Sequence, residues 1–233
     1  MPLDARHLVS LSRLGLTGQP VAMSFTDTPP AGLGRVERAG PAGCSYWRDA
    51  SEGRSFFTAA DDHTSCPVGA FTHGVPLSPE KATELQSLVG TMIELKYLKS
   101  EEVPQLPHRT TAMQFAAYAP LGGATFSPDV VIFRGKARSI MLLTEAARTA
   151  GAFDSGAVMG RPACAMIPQA LEARNGVASV GCIGNRVYTG LGDDELYFTI
   201  PGPRIGDVVE RLETVVHANR ELEKYHEGRR AGV

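Results

Sequence analysis

The side chains best suited to chemistry gather in one stretch, Asp61-Asp62-His63-Thr64-Ser65-Cys66-Pro67-Val68-Gly69-Ala70-Phe71-Thr72-His73-Gly74. Thiolate and imidazole are strong ligands for transition metals. His63 and Cys66 stand at i, i+3 and share a face if the segment is helical, and His73 follows about two turns later. Asp61 and Asp62 are placed to accept from an imidazole and fix its orientation. Pro67, directly after Cys66, suits the first turn of a helix. A thiol at such a helix start gains thiolate character from free N–H groups and the dipole. The bland alternative for any one histidine is a core or surface residue that binds nothing. His7, His108, His217 and His226 are left under it.

Three more cysteines, Cys44, Cys164 and Cys182, lie elsewhere. None forms the Cys-x-x-Cys pair of a zinc ribbon or a bacterial ferredoxin. Their settings are more telling than their spacing. Each of the four has glycine or proline close by, a pattern of loops and helix starts. Glycine beside a cysteine lets backbone approach a bulky inorganic ligand. Three readings follow. In the first, Cys44, Cys66, Cys164 and Cys182 converge on an iron–sulfur cluster, of the four-iron type, in a redox or electron-transfer protein acting on a small molecule. His63 and His73 then serve as neighbours, replacement ligands or proton donors. In the second, the His63/Cys66/His73 loop binds haem or a single transition metal in a sensor. In the third, Cys66 is a nucleophile activated by His63 or His73. Four unrelated buried thiols are the bland alternative.

Arg161 and Arg186 each sit close to a cysteine. Either suits a thiolate, an anionic cluster or a substrate carboxylate. The alternative for both is a salt bridge to the acidic run Asp193-Asp194-Glu195. The glycine-rich stretch Gly181-Cys182-Ile183-Gly184-Asn185-Arg186 lacks the Lys-Ser/Thr ending of a phosphate loop and the third glycine of a dinucleotide fingerprint, so both nucleotide readings are rejected. No Gly-x-Ser-x-Gly elbow is present.

The elements that must hold these residues are readable from periodicity and punctuation. Helices are expected over residues 4–16, from Cys44, from Pro67, over 79–97, 136–150 and 162–171, and from Ile205 to about Gly228. Strands are expected over residues 20–25, 55–59, 113–120, 129–134, 177–183 and 195–200. Residues 129–134 are apolar at their centre, as in a strand covered on both faces. Residues 28–43 read as a loop and 184–194 as a connection. Interleaved strands and helices imply an α+β (mixed α/β) fold with a mixed sheet, flanking helices and a long C-terminal helix. One globular domain over 1–233 is expected, with a possible internal division near 100–112 and possibly two similar halves.

Length and composition agree with this. The chain has 233 residues, 43% hydrophobic and 21% charged, enough for a sizeable core without disulfides. Net charge is -2 and the basic residues do not cluster, so no nucleic-acid partner is expected. No apolar run approaches the length of a spanning helix and no signal peptide is visible, so neither membrane insertion nor secretion is expected. A cytoplasmic location follows, where thiols and metal ligands outnumber disulfides. Expected partners are a small-molecule substrate or a redox partner. The oligomeric state stays open, a homo-oligomer included.

Several segments match a known pattern in order and residue type. They are Ala42-Gly-Cys44-Ser-Tyr-Trp47, Asp62-His63-x-x-Cys66-Pro-x-Gly69-x-x-Thr72-His73, Gly160-Arg-Pro-x-Cys164-Ala, Ser179-x-Gly-Cys182-Ile-Gly-Asn-Arg186-x-Tyr188 and Asp194-Glu195-Leu-Tyr197-x-x-Ile200-Pro201. In these the chain resembles a prokaryotic family of uncharacterised proteins, domain-of-unknown-function family 169, the ArCR family. The resemblance implies a single α+β domain and supplies no reaction. It places all four cysteines inside family-like segments.

Overall fold

The computed structural model of the chain describes residues 3–154 and 162–231. Arg161 lies outside them. In chain order the elements are α1 (Ala5–Ser12), β1 (Val21–Thr26), α2 (Gly43–Ser51), β2 (Phe56–Ala59), α3 (Pro67–Thr72), α4 (Pro79–Glu94), β3 (Phe115–Pro120), β4 (Val130–Lys136), α5 (Ala137–Thr149), α6 (Met166–Ala173), β5 (Val177–Ser179), α7 (Ile183–Thr189), β6 (Glu195–Pro201) and α8 (Ile205–Ala231). The fold is mixed α/β, with the long C-terminal helix the sequence implies.

The strands form a six-stranded sheet in the order β2-β3-β1-β4-β6-β5. Every paired strand runs antiparallel, where a mixed sheet was expected. Interleaved helices do not dictate direction. The connection from β4 to β6 carries α5, α6, β5 and α7, and still returns antiparallel. Strands from both sides of residues 100–112 share this one sheet, since β1 pairs with β3 and with β4.

Side-chain alternation builds a core on each face. Val21, Met23, Phe56, Tyr118, Val130 and Ile132 pack with α2, α3 and α6 on one side. Ala22, Val131, Phe133, Phe198 and Ile200 pack with α1, α5 and α8 on the other. Phe133, Phe198 and Ile200 are fully buried. β4 is thus covered on both faces, as its apolar centre required.

Two readings shift. Residues 177–183 do not form one strand: β5 stops at Ser179, and α7 starts after Cys182. Val177, Val180 and Ile183 are β-branched, a residue type that favours strands. Ile183 and Val187 stand at helical spacing but on the outer face of α7, 74% and 72% exposed, so the pair marks no buried stripe. α4 starts at Ser78, whose side chain accepts from the Lys81 N–H. None of its residues is fully buried, and Leu88 and Ile93 of its apolar stripe stay exposed. Among the described residues no helix is long and apolar enough to cross a membrane.

At the edge of the site face, Arg134 of β4 meets Glu195 of β6. The Arg134 Nε lies 2.9 Å from Glu195 Oε2. Glu195 also accepts from the Thr17 hydroxyl and from the Gly192 N–H. Burial pushes its carboxyl up, but these donors outweigh it and hold it below the usual range. Arg134 also donates to the Thr189 and Gly190 carbonyls at the end of α7. The pair is largely shielded, with side chains 16% and 8% exposed. Glu195→Ala strands the guanidinium and is expected to cost about 3–5 kcal/mol, read as a lower urea midpoint. Glu195→Gln, which keeps the packing, should cost less.

Candidate functional site

The four cysteines start four helical segments on one face of the sheet. Cys44 is the second residue of α2 and Cys66 is the N-cap of α3. Cys164 lies in a 3-10 turn, Ala163–Ala165, that leads into α6. Cys182 is the N-cap of α7, and its sulfur accepts from the Asn185 N–H at 3.4 Å. A cap takes its donor from two or three residues on, and here a thiol does what serine usually does. All four are free thiols, Cys44 buried and the others partly so.

These segments pack together: α2 on α7, α2 on α3, and α3 on the Cys164 turn. The thiols share one electrostatic neighbourhood. Ionised Cys66 and Cys182 would each push up Cys44, and ionised Cys182 would push up Cys66. All three would push up Cys164. Every pair among the four is therefore coupled. Burial is the first cause in each case, raising Cys44 to about 12, Cys66 above its ordinary value and Cys164 well above it. The helix start predicted for Cys66 is present, but the thiolate character predicted from it is not. A six-residue helix does not offset the burial.

His63 and His73 are both buried behind these helix starts, ring centroids 6.0 Å apart. His63 Nε2 is 2.8 Å from the Thr58 hydroxyl, and its Nδ1 has no partner. His73 lies against the Cys164 backbone with neither ring nitrogen hydrogen-bonded. Burial keeps both neutral, lowering His63 to about 4 and His73 to about 3. Gly43 makes room for them: a Cβ there would sit 3.0 Å from His63 Nδ1 and 3.7 Å from His73 Cε1. Neither ring hydrogen-bonds Cys66.

Asp61 and Asp62 do not orient an imidazole. Both accept from Arg35, and Asp62 also accepts from the Ala59 N–H at 2.8 Å. They fix the turn Ala60–His63 instead. The Tyr46 hydroxyl ties α2 to that turn by donating to the Asp62 carbonyl at 2.7 Å. Arg186 is turned to backbone: it donates to the Val180, Leu191 and Gly192 carbonyls and stands 3.5 Å from Asp193. It positions the Cys182 loop.

Residue-type reasoning passed over Asn185 and Thr72. Asn185 is buried, and its amide faces the Cys44 thiol and the Tyr197 hydroxyl without a well-formed bond to either. The Thr72 hydroxyl is 3.1 Å from the Cys164 sulfur and 2.9 Å from the Gly69 carbonyl. Both lie a few residues from a cysteine in the chain, Asn185 at capping distance from Cys182, and that spacing is the signal that marks it. Gly181 has φ +77, and a Cβ there would meet Leu191 at 2.5 Å and Asn185 Oδ1 at 3.0 Å. This glycine lets the Cys182 loop close over Asn185. Among the described residues, no three His, Cys, Asp or Glu side chains stand close enough to hold a single metal ion.

The chain is 26% identical over 170 residues to the uncharacterized protein MJ0308 of Methanocaldococcus jannaschii, covering 70% of this chain and 71% of that one. No solved structure matches. A family model, DUF169, described as uncharacterised ArCR, matches residues 11–211 and so takes in all four cysteines. With most of its length matched, the chain belongs to the DUF169 (ArCR) family.

Proposed function

We propose that the protein is an iron–sulfur protein, with Cys44, Cys66, Cys164 and Cys182 holding a four-iron cluster, and that it exchanges electrons with a small molecule. The observation that carries this reading is that four free thiols each stand at the start of a helical segment, in segments that pack against one another on one face of the sheet. A thiolate-ligated cluster is anionic, and backbone N–H groups at helix starts favour negative charge. The Asn185 N–H is already on the Cys182 sulfur, and the Thr72 hydroxyl is beside Cys164. Such contacts fix sulfur orientation.

The unpartnered amide of Asn185 and the orphaned nitrogens of His63 and His73 add support. Buried polar atoms without partners are uncommon and mark places where a bound group or water completes the structure. Burial drives the thiols of Cys44, Cys66 and Cys164 towards protonation, and thiols release protons when metal binds, which is the usual linkage of thiolate sites. When bound, the cluster supplies one-electron transfer. The chain's own residues hold the sulfurs, and Trp47 packed edge-on to Tyr197 at 5.6 Å keeps water from one side.

The other readings have less behind them. A single ion at thiolate distances of about 2.3 Å needs its sulfurs roughly 3.8 Å apart, and the donors here are spaced more loosely. A nucleophilic Cys66 needs a lowered pKa and a paired base, and Cys66 has a raised one and no imidazole partner. Anaerobic purification followed by iron and acid-labile sulfide analysis tests the proposal. About four of each per chain, with a broad visible absorption, is expected. A colourless, iron-free chain overturns it, and a Soret band points to haem.

A further inference from the structure

A cleft of about 590 Å³ opens between the segment 104–111 and α6. That volume suits a small-molecule site. Its lining includes Pro168 and Leu171 of α6 and Leu106 of the facing segment, so much of the wall is apolar. Among the described residues one cation lines it, Arg109. The Arg109 Cζ stands over the Phe25 ring, 3.7 Å from its centroid. Its Nη1 is buried without a hydrogen-bond partner. No carboxylate of the described residues forms an ion pair with it. Asp129 and Asp27 act on it only at longer range, and Asp129 is occupied by the Ser24 hydroxyl and the Phe25 N–H. An arginine held by stacking, half-buried and unpaired, is a receptor for an oxyanion.

The cleft adjoins the cysteines. The Arg109 N–H donates to the Thr72 carbonyl at 3.0 Å, and the Thr72 hydroxyl is 3.1 Å from the Cys164 sulfur. α6, which walls the cleft, begins two residues after Cys164. The other polar groups of the cleft are modest. Thr110 and Thr111 are exposed, His108 keeps its Nδ1 on the Leu106 carbonyl at 2.9 Å, and Glu172 stands at the rim. One arginine and one rim carboxylate in the lining favour a single negative charge over two. The geometry points to a binding site for a small monocarboxylate with an apolar body, its carboxylate on Arg109 and its body against Pro168 and Leu171. Its role as the substrate of the cysteine site rests on the cluster reading; the binding site does not.

Calorimetric titration with sodium benzoate, and with benzyl alcohol as its neutral analogue, tests the site in iron-loaded and chelator-stripped protein. Wild type binds benzoate at least tenfold tighter than benzyl alcohol in both forms. Arg109→Met loses that preference and Arg109→Lys keeps part of it. Leu171→Trp, which fills the cleft and spares the guanidinium, loses both ligands and remains decisive if Arg109→Met does not fold. Benzoate bound no tighter than benzyl alcohol, or bound equally by wild type and Leu171→Trp, overturns the site. Iron analysis of the same samples separates the two ideas: an iron-free wild type that binds benzoate leaves the site standing and fails the cluster. In iron-loaded protein, benzoate shifts the electron paramagnetic resonance signal of the reduced sample in wild type and not in Arg109→Met. An unshifted signal with benzoate bound overturns the substrate role.

Discussion

Acidification from pH 7 to pH 4 is expected to cost the metal-free chain on the order of 6 kcal/mol of stability, a large share of what a domain of this size has. The cause is the pair His63 and His73. Burial is the main reason each stays neutral. In His73 the neighbouring His63 and Arg109 depress it further, while the Cys164 backbone opposes; in His63 the charge of Asp61 opposes. Below pH 6.5 an unfolded chain takes up protons on both imidazoles. The native chain refuses them until about pH 4 at His63 and about pH 3 at His73. The unfolded state binds more protons throughout that window, so stability falls as pH falls. Below both folded values the loss levels off. Urea titrations followed by circular dichroism at pH 7, 5.5 and 4.5 measure it. His73→Phe removes one of the two groups and two of the three orphaned imidazole nitrogens. That variant should lose about half of the acid sensitivity and be little changed at pH 7. Equal acid sensitivity in wild type and His73→Phe would show that the histidines are not the cause.

Each of Cys44→Ser, Cys66→Ser, Cys164→Ser and Cys182→Ser is expected to abolish or sharply reduce iron content, from about four per chain to below one. Serine is close in size, so a folded chain is expected in all four. The equality of the four effects is what matters. A single-metal loop loses its metal only at Cys66, with His63 and His73, and a nucleophile loses activity only at Cys66. Four equal losses require four sulfurs that act as one unit. The melting temperature gives a second measure. A group bound only by the folded chain raises it, so the gap between loaded and stripped wild type should close in every variant. Retention of full iron by Cys44→Ser or Cys182→Ser is incompatible with the proposed ligand set.

Much of the frame was legible because its signals are local. The apolar centre of β4, the Ser78-Pro79 start of α4 and the long stripe of α8 each follow from periodicity or capping, and each is where it was expected. Cys66 at a helix start followed from Pro67 alone. α7 was not legible, because its hydrophobic residues point outwards and its cap is a cysteine. Strand direction was not legible either, since it depends on how far a connection travels, not on which residues it contains. In the site, residue type marked the cysteines and the buried histidines. It misassigned Asp61 and Asp62, because a charged side chain near a metal-like motif looks the same whether it serves a ligand or ties down a turn, and it left Arg186 open between a ligand and the salt bridge to Asp193. Asn185, Thr72 and Arg109 take their meaning from neighbours that only the folded chain supplies.

The cysteine-bearing helix starts come from segments that span most of the chain, from α2 to α7, on the face of the sheet opposite α5 and α8. That has a consequence for how the protein is made. Closing a loop on the order of 140 residues carries an entropic cost that grows only slowly with length, but every residue of that loop must first exist. At about 5–20 residues per second on the ribosome, Cys44 and Cys66 wait roughly 6–28 s for Cys182. Any group that binds all four sulfurs is therefore delivered only after Cys182 has been made, and its arrival ties α2 and α3 to α7.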